Sequence, residues 1–141
     1  MRRSDFDITD KIRTTDAIEV CDEVVRLFRG LYRSGDARAM VRAFGDMSKM
    51  YHGKHPDYYP CDTEYHDIQH VLDVTLAMAR LLNGYQRENA RSNPLPAQYF
   101  VVGIITALFH DVGYLRRRSD RKHRYGAEYT LTHVGRGSRF L

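Results

Sequence analysis

The sequence predicts an all-helical protein, and three observations carry that prediction. Apolar residues recur at three- and four-residue spacing in several windows, the windows are separated by Gly, Pro and Asn clusters, and no second strand pattern exists to pair with any apolar run. The chain has 141 residues, enough for one compact domain spanning 1–141 and not for two.

The first helix is predicted over 16–32, where Ile18, Cys21, Val24, Val25, Phe28 and Leu31 fall near helical spacing. Ser34-Gly35-Asp36 breaks and recaps the chain. A second helix should run from Asp36 to about Tyr51, burying Met40, Val41, Phe44 and Met47. Gly53 to Pro60 carries two prolines and reads as a loop. The third helix is predicted over 63–83, with Thr63 as N-cap, an apolar stripe of Leu72, Leu76, Ala79 and Leu82, and a stop at Asn83-Gly84. Residues 97–110 are apolar almost all round, which predicts a helix buried in the middle of the domain. A last helix is expected from Tyr125 to about Val134.

Composition narrows the function classes. Hydrophobic residues are 43% and charged residues 28%, an ordinary globular balance. No apolar run reaches a membrane span, and the basic N-terminus has no apolar stretch behind it, so no secretory signal is read. Two cysteines, Cys21 and Cys61, make neither a metal-type pair nor a disulfide scaffold; a reduced cytoplasmic setting is expected. The net charge of +4 is concentrated in Arg116 to Arg124, which reads either as a solvated loop or as a phosphate-attracting rim. That stretch has no aromatic residues interleaved and matches no recognition element, so nucleic acid is not the expected partner.

Chemistry-bearing residues fall in two places. On a helix turning about 100° per residue, His66 and His70 lie about 40° apart, and Asp73 about 20° to the other side of His66. Such a face suits a divalent cation, or a cation with a catalytic histidine beside it; it also suits histidines merely hydrogen-bonded at the core edge. His110-Asp111 closes the apolar helix, and a polar pair buried there needs a partner. A metal would serve, and so would a mutual hydrogen bond.

Taken together, Tyr65-His66-Asp67-Ile68-Gln69-His70-Val71-Leu72-Asp73-Val74 followed by Ala107-Leu108-Phe109-His110-Asp111-Val112-Gly113 resembles the HD-domain superfamily of metal-dependent phosphohydrolases. The first segment is most similar to cyclic-nucleotide phosphodiesterases. His133-Val134-Gly135, with Phe140-Leu141, resembles that family's His-Pro-Gly segment ending in Phe-Leu. The resemblance implies an HD-domain-like helical bundle. It implies that His70, His110 and Asp111 ligate a first metal and that His66 acts as the general acid. It also makes Asp111 the bridge to a second metal through a shared hydroxide, so His66 and Asp111 are the catalytic pair. Asp73 and His133 become candidates for orienting a histidine or for the second metal. Two divalent ions drawn from Mg²⁺, Mn²⁺, Zn²⁺ or Fe are implied in a complete site. The implied substrate is a small phosphodiester or nucleotide.

The chain departs from that pattern in three places. Asp67 replaces an Asn, Tyr114 stands where a histidine often follows the His-Asp pair, and no carboxylate matches the distal metal-ligand Asp. Asp120 lies in the basic loop and Glu128 is too early. The expectation is therefore the N-terminal part of a domain, truncated before its distal ligand helix and prone to self-association through apolar surface. The competing expectation is a catalytically degenerate module that binds a nucleotide or metal.

Overall fold

The computed structural model describes residues 4–140, and among them it is helical without a strand. Two isolated antiparallel bridges join Phe6 to Arg13 and Tyr58 to Arg117. The helices are α1 (Ala17–Leu31), α2 (Arg38–Tyr51), α3 (Ile68–Asn89), α4 (Ala97–Phe109) and the short α5 (His133–Ser138). Turns of 3-10 helix occupy Val112–Tyr114 and Gly126–Tyr129. Among the described residues no helix is long and apolar enough to cross a membrane.

α1 starts where Asp16 accepts hydrogen bonds from the amides of Ile18 and Glu19, satisfying two of the donors that a helix start leaves open. It packs on α2 and α3, and α4 packs on α2 and α3, so the four long helices close a ring around one core. Phe28, Met40, Met47, Leu72, Phe100 and Ile104 are fully buried there. The Phe28 and Phe100 rings meet at 5.4 Å between centroids. Burial of each such side chain contributes about 2–3 kcal/mol. Two residues predicted for the core, Ile18 and Val41, instead lie on the outside at 73% and 49% exposure, and Val20 takes the inward place on α1.

The N-terminal segment is latched to this ring by Asp7. Its buried carboxylate accepts from the amides of Thr9, Lys11 and Ile12, from the Thr9 hydroxyl, and from Arg80 of α3 at 2.6 Å. Burial pushes the Asp7 carboxyl up, but these donors prevail and hold it well below the usual carboxylate range.

Three element boundaries differ from the sequence-based expectation. α3 begins at Ile68 rather than at 63, and its cap is Asp67, whose carboxylate accepts from the His70 amide at 2.9 Å. Thr63 is buried without a hydrogen-bond partner for its hydroxyl among the described residues, and Asp62 accepts from the Gly126 amide at 2.8 Å. Tyr65, at φ 70°, then turns the chain by a left-handed step that no helix accommodates. At its other end α3 runs through Asn83-Gly84 to Asn89. The cost of one glycine, about 1 kcal/mol, is offset by contacts that hold the last turns, including the Leu95 amide on Gln86 at 2.6 Å and Asn93 on the Tyr85 hydroxyl at 2.8 Å.

α4 is not buried all round as expected, since Tyr99 and Val102 are more than half exposed. The helix expected over Tyr125 to Val134 is divided instead. Glu128 accepts from the Arg124 and Tyr125 amides, fixing a tight 3-10 turn, and regular helix resumes only at His133.

Candidate metal centre

The site forms where the loop before α3, the first turn of α3 and the C-terminal end of α4 converge. Asp111 is the hub. Its side chain is 5% exposed, and one carboxylate oxygen, Oδ2, faces three imidazoles. His66 Nδ1 lies 2.7 Å from that oxygen, His110 Nε2 3.2 Å and His70 Nε2 3.4 Å. Each histidine reaches it from a different backbone segment.

The face read on a continuous helix is therefore not what brings the histidines together. His66 precedes α3 and is delivered by the left-handed turn at Tyr65. His70 sits in the first turn of α3, with its backbone held by the Asp67 cap. His110 follows α4 in helical conformation, and Asp111 then leaves the helix at φ −103° and ψ 7°. That change of backbone direction lets two adjacent side chains aim at one point.

The protonation pattern is informative at His110. Its Nδ1 lies 2.7 Å from the Ala107 carbonyl, which only accepts, so Nδ1 carries a proton. Nε2 then faces Asp111 either as the second donor of an imidazolium or as a lone pair with a cation between them. Protonated and metal-binding forms share this geometry, and a backbone carbonyl on the far nitrogen is the usual way a ligating histidine is oriented. The hydrogen bond to Asp111 raises the His110 pKa against the effect of burial. Burial pushes the Asp111 carboxyl up, but hydrogen bonds from His110 and His66 outweigh it and hold it at about 2.

His66, His70 and Asp111 form a group whose donor atoms all lie within 4.8 Å of one another, so these residues can hold a metal ion. The donor chemistry fits: neutral imidazole nitrogens with an ionised carboxylate suit Zn²⁺, Fe²⁺ or Mn²⁺ better than Mg²⁺. The tight group includes His66, which the resemblance makes a proton donor, and leaves out His110, which it makes a ligand. Asp111 is its single carboxylate among the described residues.

Two other candidates lie apart from this cluster. Asp73 is half-buried on α3 and is not in the donor group. His133, the first residue of α5, places its Nδ1 2.7 Å from the Thr130 carbonyl and its ring 6.4 Å from that of His66. The link between His133 and the centre is Tyr114, which sequence reasoning had flagged only as a departure. Tyr114 stacks on His66 at 4.4 Å and on His133 at 4.2 Å. The sequence signal for it was a buried aromatic directly after His-Asp-Val-Gly. Gly113 makes this stack possible, because a Cβ there would sit 1.9 Å from the His133 carbonyl oxygen.

The basic stretch also gains partners that sequence alone did not offer. Its first residues pair with 57–59: the Tyr59 amide donates to Arg116 and the Arg118 amide to Asp57. Arg116 and Arg118 lie over the Tyr59 ring at 3.9 and 4.8 Å. Aromatic interleaving is thus present in space, though not along the chain.

No protein-family model, curated protein or solved structure matches the chain. The HD-domain resemblance is carried by its motif residues alone.

Proposed function

We propose that this chain is a metal-dependent phosphohydrolase of the HD-domain type, acting on a small phosphodiester or nucleotide. The observation that supports this reading is the convergence of His66, His70 and His110 on one oxygen of the buried Asp111. Three imidazoles around one carboxylate are costly to assemble in a helical core unless their charges or lone pairs are used.

In this reading His70, His110 and Asp111 hold the first cation, drawn from Zn²⁺, Fe²⁺, Mn²⁺ or Mg²⁺, and a complete site holds two. A bound divalent ion neutralises the anionic ester and makes water acidic enough to attack near neutral pH. The chain's own residues do the rest. Asp111 keeps its charge because its carboxyl is held at about 2, so it is available as a ligand throughout the physiological range. His66 takes the proton-donor role: its Nδ1 is fixed against Asp111 at 2.7 Å, and the Tyr114 ring stacked on it holds the imidazole plane. A histidine held in this way can deliver a proton to a departing alkoxide.

The second reading is a binding module without turnover. Its supporting observation is that Asp111 is the single carboxylate of the metal-binding group among the described residues. Metal analysis and hydrolysis of bis-p-nitrophenyl phosphate, with wild type and His110→Ala side by side, separate the two. The enzyme reading expects bound metal and turnover, both lost in His110→Ala. Metal and nucleotide bound without turnover would favour the module. Undetectable metal in carefully purified protein would sink the enzyme reading.

A further inference from the structure

Past the metal centre, the chain builds a second polar feature. A cavity of about 340 Å³ opens beside the Val112–Tyr114 turn, and both Val112 and Gly113 line it. Three arginines from two segments border it: Arg117 from the basic stretch, Arg136 from α5, and Arg139 just after α5. Tyr58 and Phe140 supply an aromatic wall, their rings 6.4 Å apart edge to face.

The contacts these arginines make are to carbonyls and rings rather than to carboxylates. Arg136 donates to the carbonyls of Gly113 at 2.8 Å and Leu115 at 2.9 Å, and lies 3.5 Å over Tyr129. Arg139 donates to the Gly135 carbonyl at 3.0 Å. Arg117 lies over Tyr58 at 5.7 Å. No ion pair joins any of the three to a carboxylate among the described residues. These contacts orient the guanidiniums without neutralising them. The lining carries no Asp or Glu. Three positive charges around a concave space of this size create a strong preference for an anion, and guanidinium forks match tetrahedral oxyanions.

We propose that this cavity is a binding site for a phosphoryl group, one turn of backbone removed from Asp111. The preference for a phosphoryl group over other anions rests on the phosphohydrolase reading; the anion site itself does not. The occupant is either a second phosphoryl group of the substrate or free inorganic phosphate, which the proposed reaction class releases from monoesters. The aromatic wall leaves room for an organic body beside the oxyanion.

The test is calorimetric titration of the full chain with inorganic phosphate in the presence of EDTA, so that no cation takes part. Wild type and Asp111→Asn should bind with equal affinity. Arg117→Gln and Arg139→Gln should each weaken binding about tenfold, the worth of one charge-assisted hydrogen bond. Arg118→Gln removes the same charge from an exposed neighbour that does not line the cavity, and should leave affinity unchanged. Absence of phosphate binding by wild type in EDTA overturns the proposal. So does equal loss in Arg118→Gln, which would mean diffuse attraction to the basic stretch. Loss in Asp111→Asn alone would move the phosphate to the metal centre and overturn it as well.

Turnover by the metal-loaded protein then identifies the source. A raised KM in Arg139→Gln for a nucleoside bisphosphate but not for a monophosphate assigns the substrate's second phosphoryl group. Unchanged KM values with intact phosphate binding in wild type assign free phosphate. Phosphate binding that persists in a protein without metal or turnover would remove the enzyme reading and leave the anion site standing.

Discussion

The ring of four helices and the segment from His110 to Phe140 are built on opposite principles. In the ring, Phe28, Phe100, Met40 and Met47 are fully buried and held by shape alone. In the later segment the elements are two 3-10 turns and a six-residue helix, and beyond the buried Val112 and Leu115 polar contacts tie them down: Arg136 on the Gly113 and Leu115 carbonyls, Asp62 on the Gly126 amide, Tyr129 and His123 on Asp120. The ring positions and the segment presents. The ring tolerates no lost volume, whereas the segment tolerates little change in charge or in backbone approach.

That contrast breaks most visibly at Phe100. Phe100→Ala should destabilise the protein by about 4 kcal/mol, through lost burial and the cavity left behind. Chemical denaturation measures it, and the metal affinity of the molecules that remain folded should not move. Asp111→Asn should do the reverse. Metal affinity, followed by titration, should fall by at least about 100-fold, the upper range seen even for groups that only support a ligand. Its metal-free unfolding midpoint should shift less than that of Phe100→Ala.

Asp7 tests a polar device that latches the N-terminal segment to the ring rather than one at the site. Asp7→Asn should cost about 2 kcal/mol, because the Arg80 guanidinium and the buried amides lose a charged acceptor. The Asp7 carboxyl is held below its unfolded value, so its contribution is fully present above about pH 4 and is lost as pH falls through the folded pKa. Wild type should therefore lose stability in acid more steeply than Asp7→Asn, as urea midpoints across that range would reveal.

Gly113→Ala is the smaller backbone counterpart. The added methyl meets the His133 carbonyl at 1.9 Å and must push α5 from the turn it packs on. A loss of about 2 kcal/mol is expected from such overpacking, with the tyrosine signal of the Tyr114 stack perturbed in near-ultraviolet circular dichroism. Leu131→Ser sets the floor. Its side chain is 97% exposed, so the change should stay within about 0.5 kcal/mol.

Much of the fold was legible along the chain. Helices over 17–31, 38–51 and 97–109 follow from periodicity and flanking turn residues, because a helix that buries one stripe must repeat its apolar residues every three or four positions. The boundaries of the third helix were not legible. Thr63 resembles a cap by type, but its hydroxyl is buried against Gly126, 63 residues later, and only the folded chain makes that neighbour available.

The candidate site divides in the same way. The sequence by itself determined which groups are present, His66, His70, His110 and Asp111, since their types and order carry the motif. It also set the helical class, which depends on local periodicity. Tertiary structure alone decided that His66 arrives from a left-handed turn rather than from a helix face. It decided that Tyr114 lies against both His66 and His133, that Asp73 stands outside the cluster, and that Tyr58 meets Arg117. The physical reason is the range of the interactions. Helix periodicity is written within four residues, whereas His66 and His70 lie more than forty residues from Asp111 and meet it only because the ring of helices fixes where each segment ends.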